Sequence, residues 1–156
     1  MGLLSISQIQ RNQNGTFTCT VINPNVPGKS ATASFFVIVY YGPDHGRIHL
    51  SPNRTSHELI ESSSLAVSCS ADCFPDCQYR WTGPGGISSR NTGLLIIISI
   101  GRNQTGQYTC IASNSKLPIK TATSAISVTV LYPPVLTMKA SNTSKGGRVV
   151  INCTAS

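Results

Sequence analysis

Cys69 is followed by Trp81 after 12 residues and by Cys110 after 41, and Tyr108 stands two positions before that second cysteine. Around both cysteines apolar residues recur at every second position. Leu65, Val67 and Cys69 share one face of an extended segment, and Tyr108, Cys110 and Ala112 share one face of another. Nothing in the chain combines a helical period with caps. This predicts an all-β chain. If the two cysteine strands face each other across two sheets about 10 Å apart, a disulfide can join them, because both cysteines point inward.

The second constraint is a repeat. Leu3–Pro43 aligns without a gap on Leu94–Pro134, an offset of 91, with 19 identities in 41 positions. The best-matched stretch runs from Ile9 to Cys19 and from Ile100 to Cys110. A period this long means tandem copies of a whole domain, not a solenoid of small repeats. The Cys–Trp–Tyr–Cys set resembles the signature of an immunoglobulin-like β-sandwich: Cys on strand B, Trp on C, Tyr at the E–F corner, Cys on F. Leu95, Ile97 and Ile100 then line strand E, Gly106 suits the tight E–F turn, Ile126, Val128 and Val130 alternate along strand G, and Ile48 and Leu50 begin strand A. The short Gly83–Gly93 stretch leaves no room for the two additional strands of a variable-type domain, so a C2/I-set-like form is expected.

The repeat frame divides the 156 residues unevenly. Residues 1–42 read as the E, F and G strands of one domain, 43–132 as a complete domain, and 133–156 as strands A and B of a third. The expectation is a tandem array whose terminal domains are incomplete. Arg148–Cys153 matches Ser64–Cys69 in that frame. Tyr40–Asp44 and Leu131–Pro134 are the two short linkers. Their prolines lack the N–H that would carry a strand onward, which favours end-to-end stacking.

Six cysteines at regular spacing argue for an oxidising compartment. Of the 15 conceivable pairings, the spacing favours Cys69–Cys110 between the sheets, with Cys73–Cys77 closing a small ring in the B–C loop. Cys19 and Cys153 are left without a partner in the chain. The inter-sheet bond is expected to stabilise the domain by roughly 3–4 kcal/mol through loop entropy. No metal is expected, because no second Cys or His pair has ligand spacing. No cofactor is implied either.

The formal charge is +7. All five acids lie between Asp44 and Asp76. The basic remainder reads as a solvated surface or as an attraction for sulfated or sialylated glycans. Nucleic acid is excluded by the scatter of the basic residues and the lack of an aromatic platform. The longest apolar run, Leu94–Ile98, is far short of a membrane span, and Met1–Gln10 has no signal-peptide pattern. Five Asn-x-Ser/Thr triplets, at Asn14, Asn53, Asn103, Asn142 and Asn152, suit a glycosylated secreted surface.

Several segments carry a further likeness: Asn23–Pro24 followed by Ser30–Phe36, Val39–Asp44, Ile48 with Ser51–Pro52, Leu65 with Ser68–Cys69, and Gln78–Trp81. Together they resemble the domain junctions of the carcinoembryonic-antigen-related cell adhesion molecules. Sialic-acid-binding immunoglobulin-type lectins and hemicentin-like matrix proteins share much of the pattern. The resemblance implies an extracellular or cell-surface array in adhesion or recognition, with other cell-surface proteins or glycans as partners, homophilic contacts included. The chain departs from that family in three places. Gln13 and Gln104 stand where such domains carry Asp, Phe17 replaces the corner Tyr, and Cys73/Cys77 is an added pair.

Three functions compete: an adhesion or recognition module, a non-binding spacer, and a secreted immune-type receptor. Phe74, at the tip of the disulfide-held loop, is the candidate binding residue, because a rigid exposed aromatic loses little entropy on binding; the alternative is a loop Phe tucked against the end of the domain. Catalysis is not expected. His45, His49 and His57 cluster in sequence with Asp44 and Glu58, but no Ser lies in a nucleophile turn.

Overall fold

The computed structural model describes residues 2–26, 28–90, 92–141 and 144–155. The sequon at Asn142 falls outside the described residues. Twelve strands form four sheets among the described residues. An N-terminal hairpin pairs β1 (Gly15–Ile22) with β2 (Ser30–Val37), and a C-terminal pair joins β11 (Leu136–Ala140) to β12 (Ile151–Ala155). Between them lies a two-layer sandwich. One layer has the order β3 (His49–Ser51), β5 (Leu65–Ser70), β8 (Leu94–Ile97). The other has the order β4 (Ser56–Ile60), β10 (Leu117–Leu131), β9 (Gly106–Asn114), β6 (Gln78–Thr82), β7 (Ser88–Arg90).

The alternation in sequence becomes alternation in burial. β5 reads buried-exposed throughout, and β9 buries Tyr108, Cys110, Ala112 and Asn114 in turn. Trp81, Val67, Ile100, Tyr108 and Cys110 are wholly enclosed. Cys69 and Cys110 are bonded across the two layers, their Cα atoms 6.6 Å apart. The Trp81 indole N–H donates to the Gly93 carbonyl at 3.0 Å, and the Tyr108 hydroxyl donates to the Gln104 carbonyl at 2.8 Å. Gly83 passes directly beneath the Tyr108 ring, where any Cβ would overlap it.

Two features add to the sequence reading. Strand A is not continuous. It breaks at Ser51–Pro52, a cis peptide, so that β3 pairs antiparallel with β5 while β4 crosses to the other layer and runs parallel to β10. Pro52 offers no N–H to the first ladder, which therefore stops there. The stretch between Trp81 and β8 also holds more than a loop. Ser88–Arg90 forms one short edge strand beside β6, Arg80 opposite Arg90. Among the described residues this is one strand beside β6, in keeping with the expectation that two additional strands would not fit.

The N-terminal hairpin and Leu3–Ile9 enclose an apolar groove of about 600 Å³ lined by Leu4, Ile6, Ile9, Phe17, Cys19 and Val37, among others. Their repeat equivalents, Leu95, Ile97, Ile100, Tyr108, Cys110 and Val128, are all core residues of the sandwich. Phe17, lacking the corner hydroxyl, stacks on Phe35 with ring centroids 5.7 Å apart.

Candidate functional site

The most elaborate polar constellation lies where the N-terminal unit meets the sandwich. The linker Tyr40–Asp44 leaves β2 and passes over the loop between β5 and β6. Gly42 and Pro43 are buried there. Gly42 has φ +63° and lies so close to the Asp72 carbonyl that a Cβ would overlap it. Only glycine fits on both counts. Tyr41 and Phe74 exchange both backbone hydrogen bonds, at 3.2 and 3.1 Å, forming an antiparallel bridge. Asn114, at the end of β9 and 1% exposed, points its amide into this bridge. It donates to the carbonyls of Tyr41 at 2.8 Å, Phe74 at 3.1 Å and Pro75 at 3.4 Å. Its own oxygen accepts from the Lys116 N–H at 2.9 Å. Each such bond contributes about 0.5–1.5 kcal/mol net, and breaking one inside costs more than making it gains.

The loop carrying Phe74 is closed by the Cys73–Cys77 disulfide, Cα atoms 5.4 Å apart. The Phe74 ring lies alongside Tyr40 and Tyr41, centroids 6.4 and 6.3 Å away. Sequence reasoning offered Phe74 as a binding contact or as a loop residue tucked against the end of the domain. Although 42% exposed, it is engaged by the preceding linker through both its ring and its backbone.

Arg11 adds charge to the joint. Its guanidinium sits 4.6 Å from the centre of the Tyr41 ring, hydrogen-bonds Asp44, and reaches Asp72 at 2.6 Å. These pairs are solvent-exposed, so they orient more than they stabilise. The hydrogen bond to Asp44 leads the effects that hold the Arg11 pKa above its ordinary value. The repeat copies the motif. Arg102 stacks over Tyr132 at 4.3 Å and bonds both Glu61 oxygens at 3.0 and 3.1 Å, and the Glu61 bond raises its pKa. Three of the five acids are thus held by two equivalent arginines. Gln13 and Gln104 also act alike: each side-chain oxygen accepts a backbone N–H three residues earlier, at 2.7 and 2.8 Å, closing the E–F turn. Asn14 Oδ1 accepts from Val39 N–H as Thr105 Oγ1 accepts from Val130 N–H, both at 3.0 Å.

The remaining predicted residues are dispersed. Cys19 and Cys153 are free and exposed on β1 and β12. Asn14, Asn53, Asn103 and Asn152 are exposed. His57 lies on β4 opposite Val128, while His49 lies on β3 in the other layer. No group of His, Cys, Asp or Glu among the described residues could hold a metal ion. No helix among them is long and apolar enough to cross a membrane. Sequence reasoning missed Arg11, Tyr41 and Asn114. The first two were visible as identities in the repeat at positions the core does not require. Asn114 shares its place with Asn23, whose side chain likewise accepts an N–H two residues on, at 3.0 Å.

Residues 47–114 match the immunoglobulin domain family. Among known proteins, the chain is 30% identical to the limbic system-associated membrane protein of Rattus norvegicus over 98% of its own length and 44% of that protein's. It is 26% identical to the basal cell adhesion molecule of Mus musculus over 99% of its length and 25% of that protein's. The chain thus spans less than half the length of these curated relatives. Among solved structures, the two-domain DIP-gamma IG1+IG2 aligns with a TM-score of 0.59 at 18% identity, over 80% of this chain and 63% of that one, a likeness of fold.

Proposed function

Because the chain belongs to the immunoglobulin superfamily, we propose that it is part of an extracellular, glycosylated array acting in cell adhesion or cell-surface recognition. The observation that carries this reading is the extent of the likeness to a cell adhesion molecule and a membrane protein, 98–99% of the chain. It runs through both linkers, which supports an array over a single domain. In this reading 1–42 and 133–156 are portions of immunoglobulin units flanking the central unit, 43–132. The chain is not an enzyme. Two disulfides and four exposed sequons suit an oxidising, glycosylating compartment. Partners are other cell-surface proteins, including further copies of the chain. A basic surface leaves sulfated or sialylated glycans as an additional class.

The joint favours a mechanical contribution as well. A linker bonded into the next domain at Tyr41, Phe74 and Asn114 transmits orientation from one unit to the next, which presents a distant surface at a fixed angle. This supports a spacer role for the central unit alongside adhesion. The test is binding of an Fc-fused chain to a panel of cells and to itself on beads, with and without glycan removal. Saturable binding supports adhesion or recognition. Absence of binding to every cell type and to itself would leave only the spacer reading.

A further inference from the structure

We propose that the Cys73–Cys77 disulfide is a redox switch for the joint: a dithiol reductant opens it, and the loop then releases the linker while the sandwich stays folded. Such a switch regulates the mechanical joint of the preceding section and rests on that reading.

The two disulfides stand in opposite situations. Cys69 and Cys110 are 4% and 0% exposed, deep in the core, and 41 residues apart in sequence. Cys73 and Cys77 are half-buried, four residues apart, and alternate with the exposed Asp72, Phe74 and Asp76. Thiol–disulfide exchange begins with attack of a thiolate on a sulfur, so access selects the outer bond. Closing so short a ring removes little chain entropy, which leaves the stability of the sandwich to its core and to the inner bond.

The outer bond instead holds the joint. Between its two sulfurs lie every group of this loop that bonds Tyr41 or Asn114: the Phe74 N–H and carbonyl, and the Pro75 carbonyl. The Phe74 ring beside Tyr40 and Tyr41 lies there too. At the foot of the loop, Ala71 N–H donates to the Tyr79 hydroxyl at 2.9 Å. Among the described residues, no hydrogen bond runs between two members of the segment 72–77. The disulfide is therefore what closes the turn from within. Opening it returns backbone freedom to Phe74, Pro75 and Asp76, and that freedom competes with the bonds to Tyr41 and Asn114.

The exchange balances with a dithiol as co-reactant. One of its thiolates attacks a sulfur of the pair and forms a mixed disulfide. Its second thiolate then displaces the protein sulfur and closes the reductant's own disulfide. Two electrons and the two protons of the dithiol end on Cys73 and Cys77. The reverse exchange, with a disulfide as oxidant, closes the ring again.

The test uses the full chain, with the free Cys19 and Cys153 first blocked by N-ethylmaleimide. Dithiothreitol is added under native conditions, and new thiols are labelled with iodoacetamide and located by mass spectrometry. Hydrogen exchange is read at the amides of Tyr41, Phe74 and Cys110. The expected result is label on Cys73 and Cys77 alone, exchange at Tyr41 and Phe74 faster by about tenfold or more, and Cys110 unchanged. Reoxidation of an unlabelled portion restores the protection. Cys73→Ser with Cys77→Ser is expected to match the reduced chain and to keep the wild-type melting transition. Label that reaches Cys69 and Cys110 at the same dithiothreitol concentration, or Cys73 and Cys77 unlabelled until the sandwich unfolds, overturns selective opening. Selective labelling with Tyr41 and Phe74 still protected overturns the switch and leaves the docked linker standing. Tyr41 and Phe74 unprotected before any reductant is added overturn the docked linker itself.

Discussion

Tyr108 and Asn114 sit six residues apart on β9, both buried, and each turns one polar group toward a backbone carbonyl. Replacing Tyr108 by Phe removes one hydrogen bond and is expected to cost about 1 kcal/mol, read from the denaturant midpoint. Burial holds the Tyr108 phenol above its ordinary pKa of 10.0. The folded state then keeps the proton more tightly than the unfolded one, so stability is full below pH 10 and falls as pH rises past it. Tyr108→Phe is expected to flatten that alkaline loss. Asn114→Ala strips donors from three carbonyls and is expected to cost about 1–3 kcal/mol. Tyr108 was legible because a corner tyrosine has fixed spacing from its cysteine. Asn114 was not: its acceptors lie 39 to 73 residues away in sequence, and no local pattern announces them.

Strands β5, β8 and β9 were written plainly in the sequence, since a period of two with cysteines or aliphatics inward admits one face only. Strand A was harder. His49–Ser51 and Ser56–Ile60 belong to opposite layers, and which layer each joins depends on partners, not on its own residues. The three residues of β7 carry too little pattern to be seen. The loop Cys73–Cys77 was recognised, but its contact with the linker residues Tyr40 and Tyr41 was not, since no local pattern announces it. At this scale two outcomes are expected. Replacing both Cys69 and Cys110 by Ala should lower stability by about 4 kcal/mol, the loop-entropy value for a 41-residue separation, measured by denaturant unfolding. Gly42→Ala should loosen the joint without unfolding the sandwich. An increased maximum dimension spread in small-angle scattering, with an unchanged melting transition, would show it.

The molecule as a whole is a sandwich with a hairpin at each end. The hairpins expose Phe35, Phe36, Leu136 and Met138, while the sandwich encloses nearly all the buried apolar residues. Limited proteolysis is therefore expected to trim residues in 133–155 first, where the linker Leu131–Pro134 is exposed, and to spare 43–131. The two linkers differ: Gly42 and Pro43 are buried, Pro133 and Pro134 are not. In the proposed array, orientation is therefore set at the first linker. Hydrogen exchange at the amides of Tyr41 and Phe74 in the intact chain tests it most directly. Protection close to that of β9 amides such as Cys110, lost on Asn114→Ala, is the predicted result. Exchange at the rate of an open loop, with Cys110 still protected, would show that the linker does not dock and would contradict the account.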